Sequence, residues 1–168
     1  MASYKEGKVE AIAWVKEHFP EGSSCLDVGA CDGKWFNMLS DYLIMDGVEV
    51  WKPYIDRFSL KTKYRHLFES DIRNLQYGFY DLIIFGDIIE HLSPEDARKV
   101  LAYAWNNCND LIVAVPFLHK QGNKNFNPYE VHIQDDLTPE LFNERFPGFV
   151  PFHISEKYAY YSKDKTLH

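Results

Sequence analysis

The sequence predicts an α/β fold: a three-layer α/β/α sandwich built on a mostly parallel seven-stranded sheet that ends in a C-terminal antiparallel hairpin. Three observations carry this. Segments with helical spacing alternate with short extended ones along the chain. Two of the extended runs, Tyr80 to Phe85 (YDLIIF) and Asp110 to Pro116 (DLIVAVP), are aliphatic enough for strands buried on both faces. The last stretch, Phe149 to Lys163, holds two aromatic-rich runs parted by Glu156 and Lys157, as a hairpin would. Alternating strands and helices imply right-handed crossovers, parallel neighbours and helices on both faces.

The elements follow in order. From about Tyr4 to His18, Val9, Ile12, Ala13 and Val15 fall at near-helical spacing, and Pro20 with Gly22 ends this leading helix. Ser24 to Val28 is a short strand running into Gly29, and Trp35, Phe36 and Leu39 suit a helix from Gly33 through about Leu39. Leu43 to Val50 is the second strand. Pro53 opens a helix at its first position, where a missing amide donor costs little, and the helix runs to about Thr62. Tyr64 to Glu69 is the third strand and Tyr80 to Phe85 the fourth. Ser93 caps a helix that starts at Pro94, carries Glu95 and Asp96 in its first turn and continues through about Trp105. Asp110 to Pro116 is the fifth strand, Thr138 and Pro139 start a last helix ending near Arg145, and the hairpin supplies two more strands.

A chain of 168 residues without repeat, low-complexity tract or linker reads as one domain over 1–168, long enough to bury roughly 70% of its unfolded surface. Hydrophobic residues at 46% and charged ones at 26% place it among soluble globular proteins. The net charge of -7 argues against nucleic acid as a partner, because phosphate contacts need clustered Lys and Arg. The local basic stretches Arg57 to His66 and His119 to Lys124 read as solvated faces. No window approaches the ~20 apolar residues of a membrane span, and the N-terminus lacks a secretory apolar region. Cys25, Cys31 and Cys108 are odd in number and lack CxxC spacing, which fits reduced thiols, a cytoplasmic location and no zinc site.

In such sheets ligands bind beyond the carboxyl ends of the strands, and four segments fall there. In Leu26 to Gly33, Gly29 permits a sharp turn with close ligand approach, and Gly33 permits tight packing at the helix start, where amides point outward. Glu49 ends the second strand twenty positions after Gly29, where a carboxylate reaches ribose hydroxyls. Asp46 competes for that role but lies inside the strand. Asp71 with Ile72 follows the third strand: a short carboxylate accepts from an adenine amino group while the apolar neighbour packs on the ring. Gly86 to Leu92 (GDIIEHL) follows the fourth strand and floors the pocket between cofactor and acceptor.

DVGACDG, GVEV, ESDI and GDIIEHL, at four successive strand ends, resemble the cofactor motifs of class I (Rossmann-like) S-adenosylmethionine-dependent methyltransferases. The likeness covers nearly the whole chain. It implies S-adenosylmethionine as cofactor, with Asp27, Gly29, Ala30, Cys31 and Gly33 around its methionine portion, Glu49 on the ribose, Val50, Asp71 and Ile72 at the adenine, and Asp87 and Ile88 beside the sulfonium. The chain departs from the family at Cys31, which stands where a second glycine is usual. The dinucleotide fingerprint GxGxxG is absent.

Methyl transfer needs chiefly alignment of nucleophile, methyl and sulfur. A base is required only for a protonated acceptor. His132 is the first choice as base, because its long loop overhangs the pocket mouth, and His91 the second; His119, Tyr129 and Glu130 lie in the same loops. Asn127-Pro128-Tyr129 follows the fifth strand with a single proline, unlike the amino-methylase motif NPPY, which follows the fourth. His119, His132, Asp135 and Asp136 are spaced irregularly for a metal site and read as loop polarity. Aromatic residues make up 16% of the chain; Tyr4, Trp14, Trp35, Trp51, Phe117 and Phe126 are core residues or the lining of an apolar acceptor pocket. The length leaves no separate substrate domain, so the acceptor site falls to the leading helix and the loop from Phe117 to Leu137. A small-molecule acceptor is the first reading. The alternatives are a non-catalytic protein or partner subunit that binds S-adenosylmethionine or S-adenosylhomocysteine, and an aminopropyl transferase, for which Asp87 and Glu90 are few acidic groups.

Overall fold

The computed structural model describes residues 6–123 and 126–166, so Tyr4 and Lys124 lie outside the described residues. Its elements are α1 (Lys8–His18), β1 (Ser24–Val28), α2 (Lys34–Leu39), β2 (Ile44–Val48), α3 (Lys52–Arg57), α4 (Leu60–Lys63), β3 (Leu67–Phe68), β4 (Tyr80–Gly86), α5 (Pro94–Asn106), β5 (Cys108–Pro116), α6 (Pro139–Arg145), β6 (Phe149–Ile154) and β7 (Tyr158–Lys163). The strands form one seven-stranded sheet in the order β3-β2-β1-β4-β5-β7-β6. The first five are parallel to one another, and β7 runs antiparallel between β5 and β6. The chain therefore reverses its direction of travel across the sheet between β1 and β4, leaving a crevice at their carboxyl ends.

Period-two alternation sorts the central strands between two apolar layers. Ile83, Phe85, Val113 and Val115 face α5 (Ala97, Val100, Leu101, Ala104) and Phe142 of α6. Leu82, Ile84, Ile112 and Ala114 face Ala11 and Val15 of α1, Trp35 and Leu39 of α2, and the two short helices that follow β2. This is the expected three-layer sandwich. Ser93 caps α5 by accepting from the Asp96 amide, and Thr138 caps α6 from Leu141. Among the described residues no helix is long and apolar enough to cross a membrane.

Four expectations need correction. The buried face of α1 is Lys8, Ala11 and Val15, while Val9 is 76% exposed and Ala13 also faces solvent. The single helix expected from Pro53 to Thr62 is two, because Ser59 takes a left-handed conformation (φ 52°). On one continuous helix Ile55 and Leu60 would lie about 140° apart; the break lets both reach the core. The third strand shrinks to two residues at the sheet edge. The second stops at Val48, so Glu49 emerges just past its end. At the other edge, β6 carries Pro151 and a register irregularity between Pro151 and His153.

Candidate active site at the strand ends

A cavity of about 420 Å³ opens where β1, β2 and β4 end, walled further by the segment after β3 and by the loop between β5 and α6. Its first wall is the glycine turn. The Gly29 and Ala30 amides both donate to the Val48 carbonyl at 2.9 Å, which folds the chain back over β2. Gly29 (φ 74°) passes so close to Ile88 that a Cβ there would sit 2.1 Å from Ile88 Cδ1, so any side chain must displace Ile88. Cys31 adopts φ 49°, the left-handed region where glycine is usual, at a cost of ~1 kcal/mol. Burial pushes its thiol up to about 12, so the sulfur is a packing group and no nucleophile.

Glu49 lines the cavity, and its carboxylate fastens the turn: Oε2 accepts from the Cys31 amide (2.8 Å) and Oε1 from the Trp51 amide (2.7 Å). Burial raises its pKa against these bonds. Asp46, the competing carboxylate, points elsewhere. It accepts two bonds from Arg65 (2.9 and 2.7 Å), one from the His66 amide and one from Tyr80 Oη, all inside the sheet edge. Val50, Asp71 and Ile72 lie on the same wall as Glu49. Arg73 holds Asp71 in a two-toothed ion pair that depresses its pKa, so the carboxylate is charged and fixed.

Asp27 is wholly buried beneath the turn and, with Gly33, is not among the cavity-lining residues. Its Oδ2 accepts from Tyr64 Oη at 2.5 Å, Oδ1 finds no hydrogen-bond partner among the described residues, and burial lifts its pKa to about 7. Asp87 and Ile88 line the cavity floor. Asp87 is also left-handed (φ 59°); Tyr158 Oη donates to its Oδ1, while Oδ2 is buried without a hydrogen-bond partner among the described residues. Burial raises the Asp87 pKa, opposed by Lys8, Tyr158, Lys34 and His132.

The second wall comes from the loop between β5 and α6. Tyr54 and Gln121 donate to the Glu130 carboxylate (3.0 and 3.2 Å), tying the loop to α3. The Ile133 and Gln134 amides both donate to the Glu90 carbonyl, and Gln134 Nε2 donates to Ile89 and Leu92 carbonyls. This staple brings His132 against His91, with ring centroids 4.7 Å apart. His91, Tyr129, Glu130, Val131 and Ile133 line the cavity; His132 stands behind them, and His119 packs on it at 5.3 Å. His119, His132, Asp135 and Asp136 do not gather as a ligand group among the described residues. Of the aromatics expected around an acceptor, Trp35 lines the cavity and Phe117 is core, Trp14 stacks on Phe152, Trp51 tilts against Tyr129, and Phe126 is open to solvent.

Lys8 escaped the sequence reading, and Glu90 was weighed there only as an acidic group for an aminopropyl transferase. Lys8 is 6% exposed, its Nζ 3.9 Å from the Trp35 ring centroid and without a hydrogen-bond partner among the described residues. Burial lowers its pKa to about 8. The signal was present, since Lys8 occupies the same helical stripe as Ala11 and Val15. Glu90, a member of GDIIEHL, is fully buried with neither oxygen hydrogen-bonded among the described residues.

No family model matches the sequence, and no curated protein matches it. Solved structures do. An S-adenosylmethionine-dependent methyltransferase from Clostridium acetobutylicum ATCC 824 superposes with a TM-score of 0.70 at 13% identity, over 95% of this chain and 90% of that one. Magnesium protoporphyrin IX methyltransferase from Synechocystis PCC 6803 with bound SAH gives 0.67 at 14%, over 93% and 81%. The N-methyltransferase NodS from Bradyrhizobium japonicum WM9 gives 0.62 at 11%, over 96% and 98%. The fold is that of the class I S-adenosylmethionine-dependent methyltransferases.

Proposed function

We propose that the chain is a single-domain, cytoplasmic enzyme that transfers a methyl group from S-adenosylmethionine to the oxygen or nitrogen of a small molecule. The carrying observation is one cavity in which the Gly29 turn, the Glu49 carboxylate and the Asp71–Ile72 pair meet at the switch point of the sheet. The cavity falls within the ~300–1,000 Å³ usual for such ligands. Asp87 Oδ2, buried at the cavity floor and without a hydrogen-bond partner among the described residues, is what a cationic ligand would complete. When bound, the cofactor supplies an electrophilic methyl group with a neutral thioether as leaving group.

The chain's own residues do the rest. Glu49 Oε1 and Oε2 each keep a lone pair beyond the amide they accept from, enough to take the hydroxyls of a vicinal diol. Asp71, held charged by Arg73, accepts from an exocyclic amine while Ile72 covers the ring. Asp87 presents its carboxyl at the cavity floor, where a sulfonium would favour its charged form against the burial that raises its pKa. His91 on the cavity wall and His132 beside it are the groups that handle an acceptor proton, with His132 the first choice. Tyr129, Val131 and Ile133 give the mouth an apolar side, which suits a small acceptor with a hydrophobic portion. Magnesium protoporphyrin IX, named for one structural neighbour, and the N-methyltransferase activity named for another are consistent with that class.

Calorimetry tests the reading. Glu49→Ala and Asp71→Ala are each expected to weaken cofactor binding by about 1–3 kcal/mol through lost hydrogen bonds. Unchanged affinity in both overturns the assignment of the cavity. Thermal stabilisation by S-adenosylmethionine and its demethylated product but not by NAD is expected. Incubation with methyl-labelled cofactor and a metabolite panel then separates turnover from mere binding.

A further inference from the structure

We propose that Glu90, His91 and His132 form a binding site for one divalent first-row transition cation at the loop end of the cavity. One ligand atom from each lies within 4.8 Å of the other two. Bonds of ~2.1 Å to a shared ion would draw them to roughly 3.4 Å, within reach of side-chain rotation. Two imidazoles and one carboxylate suit zinc, manganese or iron(II) and disfavour magnesium and calcium, which take oxygen ligands.

Glu90 supplies the independent argument. It is 0% exposed, and neither Oε1 nor Oε2 has a hydrogen-bond partner among the described residues. An ionised carboxylate so placed is costly, so the group either holds a proton, as its raised pKa favours, or exchanges it for a cation. Asp87 next to it raises that cost, since the two carboxyls repel. Lys8 acts on Glu90 electrostatically, but no lysine or arginine forms an ion pair with it among the described residues, so a small ion between it and the imidazoles is a compensation its position accepts.

The imidazoles are oriented as ligands are. Nδ1 of His91 meets the Val131 carbonyl at 3.1 Å, and Nδ1 of His132 meets the His119 carbonyl at 2.7 Å. A carbonyl only accepts, so Nδ1 carries the proton in both rings and Nε2 bears the lone pair. A second ring nitrogen donating to a backbone carbonyl is the usual outer-shell support of a metal-bound histidine. The Glu90 carbonyl, which takes the Ile133 and Gln134 amides, clamps the His132 segment onto the Glu90–His91 turn, so the three side chains are gathered in advance.

Because His91 lines the cavity, open coordination positions would face the acceptor. A cation there lowers the pKa of a coordinated hydroxyl, its proton leaving to solvent, so with the ion bound the histidines act as its ligands and the ion takes over the proton-handling role they have without it. This role rests on the methyltransferase reading; the occupancy does not.

The test uses the whole chain, stripped of metal by EDTA and titrated with Co²⁺ alone in the absence of cofactor. One equivalent is expected to bind with ligand-field bands in the visible spectrum, and Mg²⁺ is expected not to compete. Glu90→Gln and His132→Ala should each weaken Co²⁺ at least tenfold, with near-UV circular dichroism confirming the fold, while His119→Ala leaves affinity unchanged. Absent binding, or equal binding in Glu90→Gln and His132→Ala, overturns the site; if one of the two fails to fold, the other decides. Calorimetry with S-adenosylmethionine on the same stripped protein reports the cofactor reading separately.

Discussion

Glu49 and Glu90 are nearly equally removed from water, 5% and 0% exposed, yet the chain treats them in opposite ways. At the turn, each oxygen of Glu49 receives a backbone amide, and the carboxylate knits β2 to the glycine turn. At the loop end, Glu90 uses its backbone carbonyl to hold the loop and leaves both side-chain oxygens bare. The first wall is thus complete as folded, and its remaining lone pairs are an addition. The second wall holds a carboxyl that burial and Asp87 push toward its neutral form and whose oxygens have no hydrogen-bond partner among the described residues, and folded chains keep such groups chiefly where function needs them.

The largest expected effect is at Gly29. Gly29→Val places a β-branched side chain at φ 74° and into Ile88, and should cost about 3–5 kcal/mol in urea unfolding while abolishing cofactor binding. Next comes the pair itself. In metal-free protein Glu49→Leu should destabilise by about 2–4 kcal/mol, since two amides lose their acceptor, whereas Glu90→Leu should stabilise by about 1–3 kcal/mol. Equal signs in the two melts would erase the contrast.

Asp27 gives a pH signature. Its folded pKa, about 7, exceeds the ordinary 3.8, so its contribution is fully present below pH 4 and is lost as pH rises through 7. Asp27→Asn, which keeps an acceptor for Tyr64, should remove that slope and gain about 2 kcal/mol at pH 8, measured as unfolding free energy across pH 4–9. Lys8 works in the other direction: with its pKa lowered to about 8 from 10.5, the folded chain pays a penalty below pH 8 that fades toward pH 10.5. Lys8→Met should gain about 1 kcal/mol at pH 7 and flatten the alkaline rise in stability.

Much of the fold was legible because its signals are local. Proline and hydroxyl caps marked α5 and α6, aliphatic runs marked β4 and β5, and Glu49 could be preferred over Asp46 from its place at the strand end. The errors share a cause. The break at Ser59 and the two-residue β3 answer to which side chains reach the core, a demand that spacing along the chain does not display. The grouping of Glu90 and His91 with His132 stayed hidden because it depends on a loop folding back forty residues later, through amides that any sequence possesses. Lys8 was readable in principle, but a lysine within an apolar stripe is ordinarily discounted.

The sheet margins have a consequence for behaviour in crowded solution. One rim ends in a strand of two residues, and the other is interrupted by Pro151, which has no amide hydrogen, and by a slipped register beside it. Neither rim offers an incoming chain a straight row of open donors and acceptors. Lateral strand addition is thereby disfavoured at both rims.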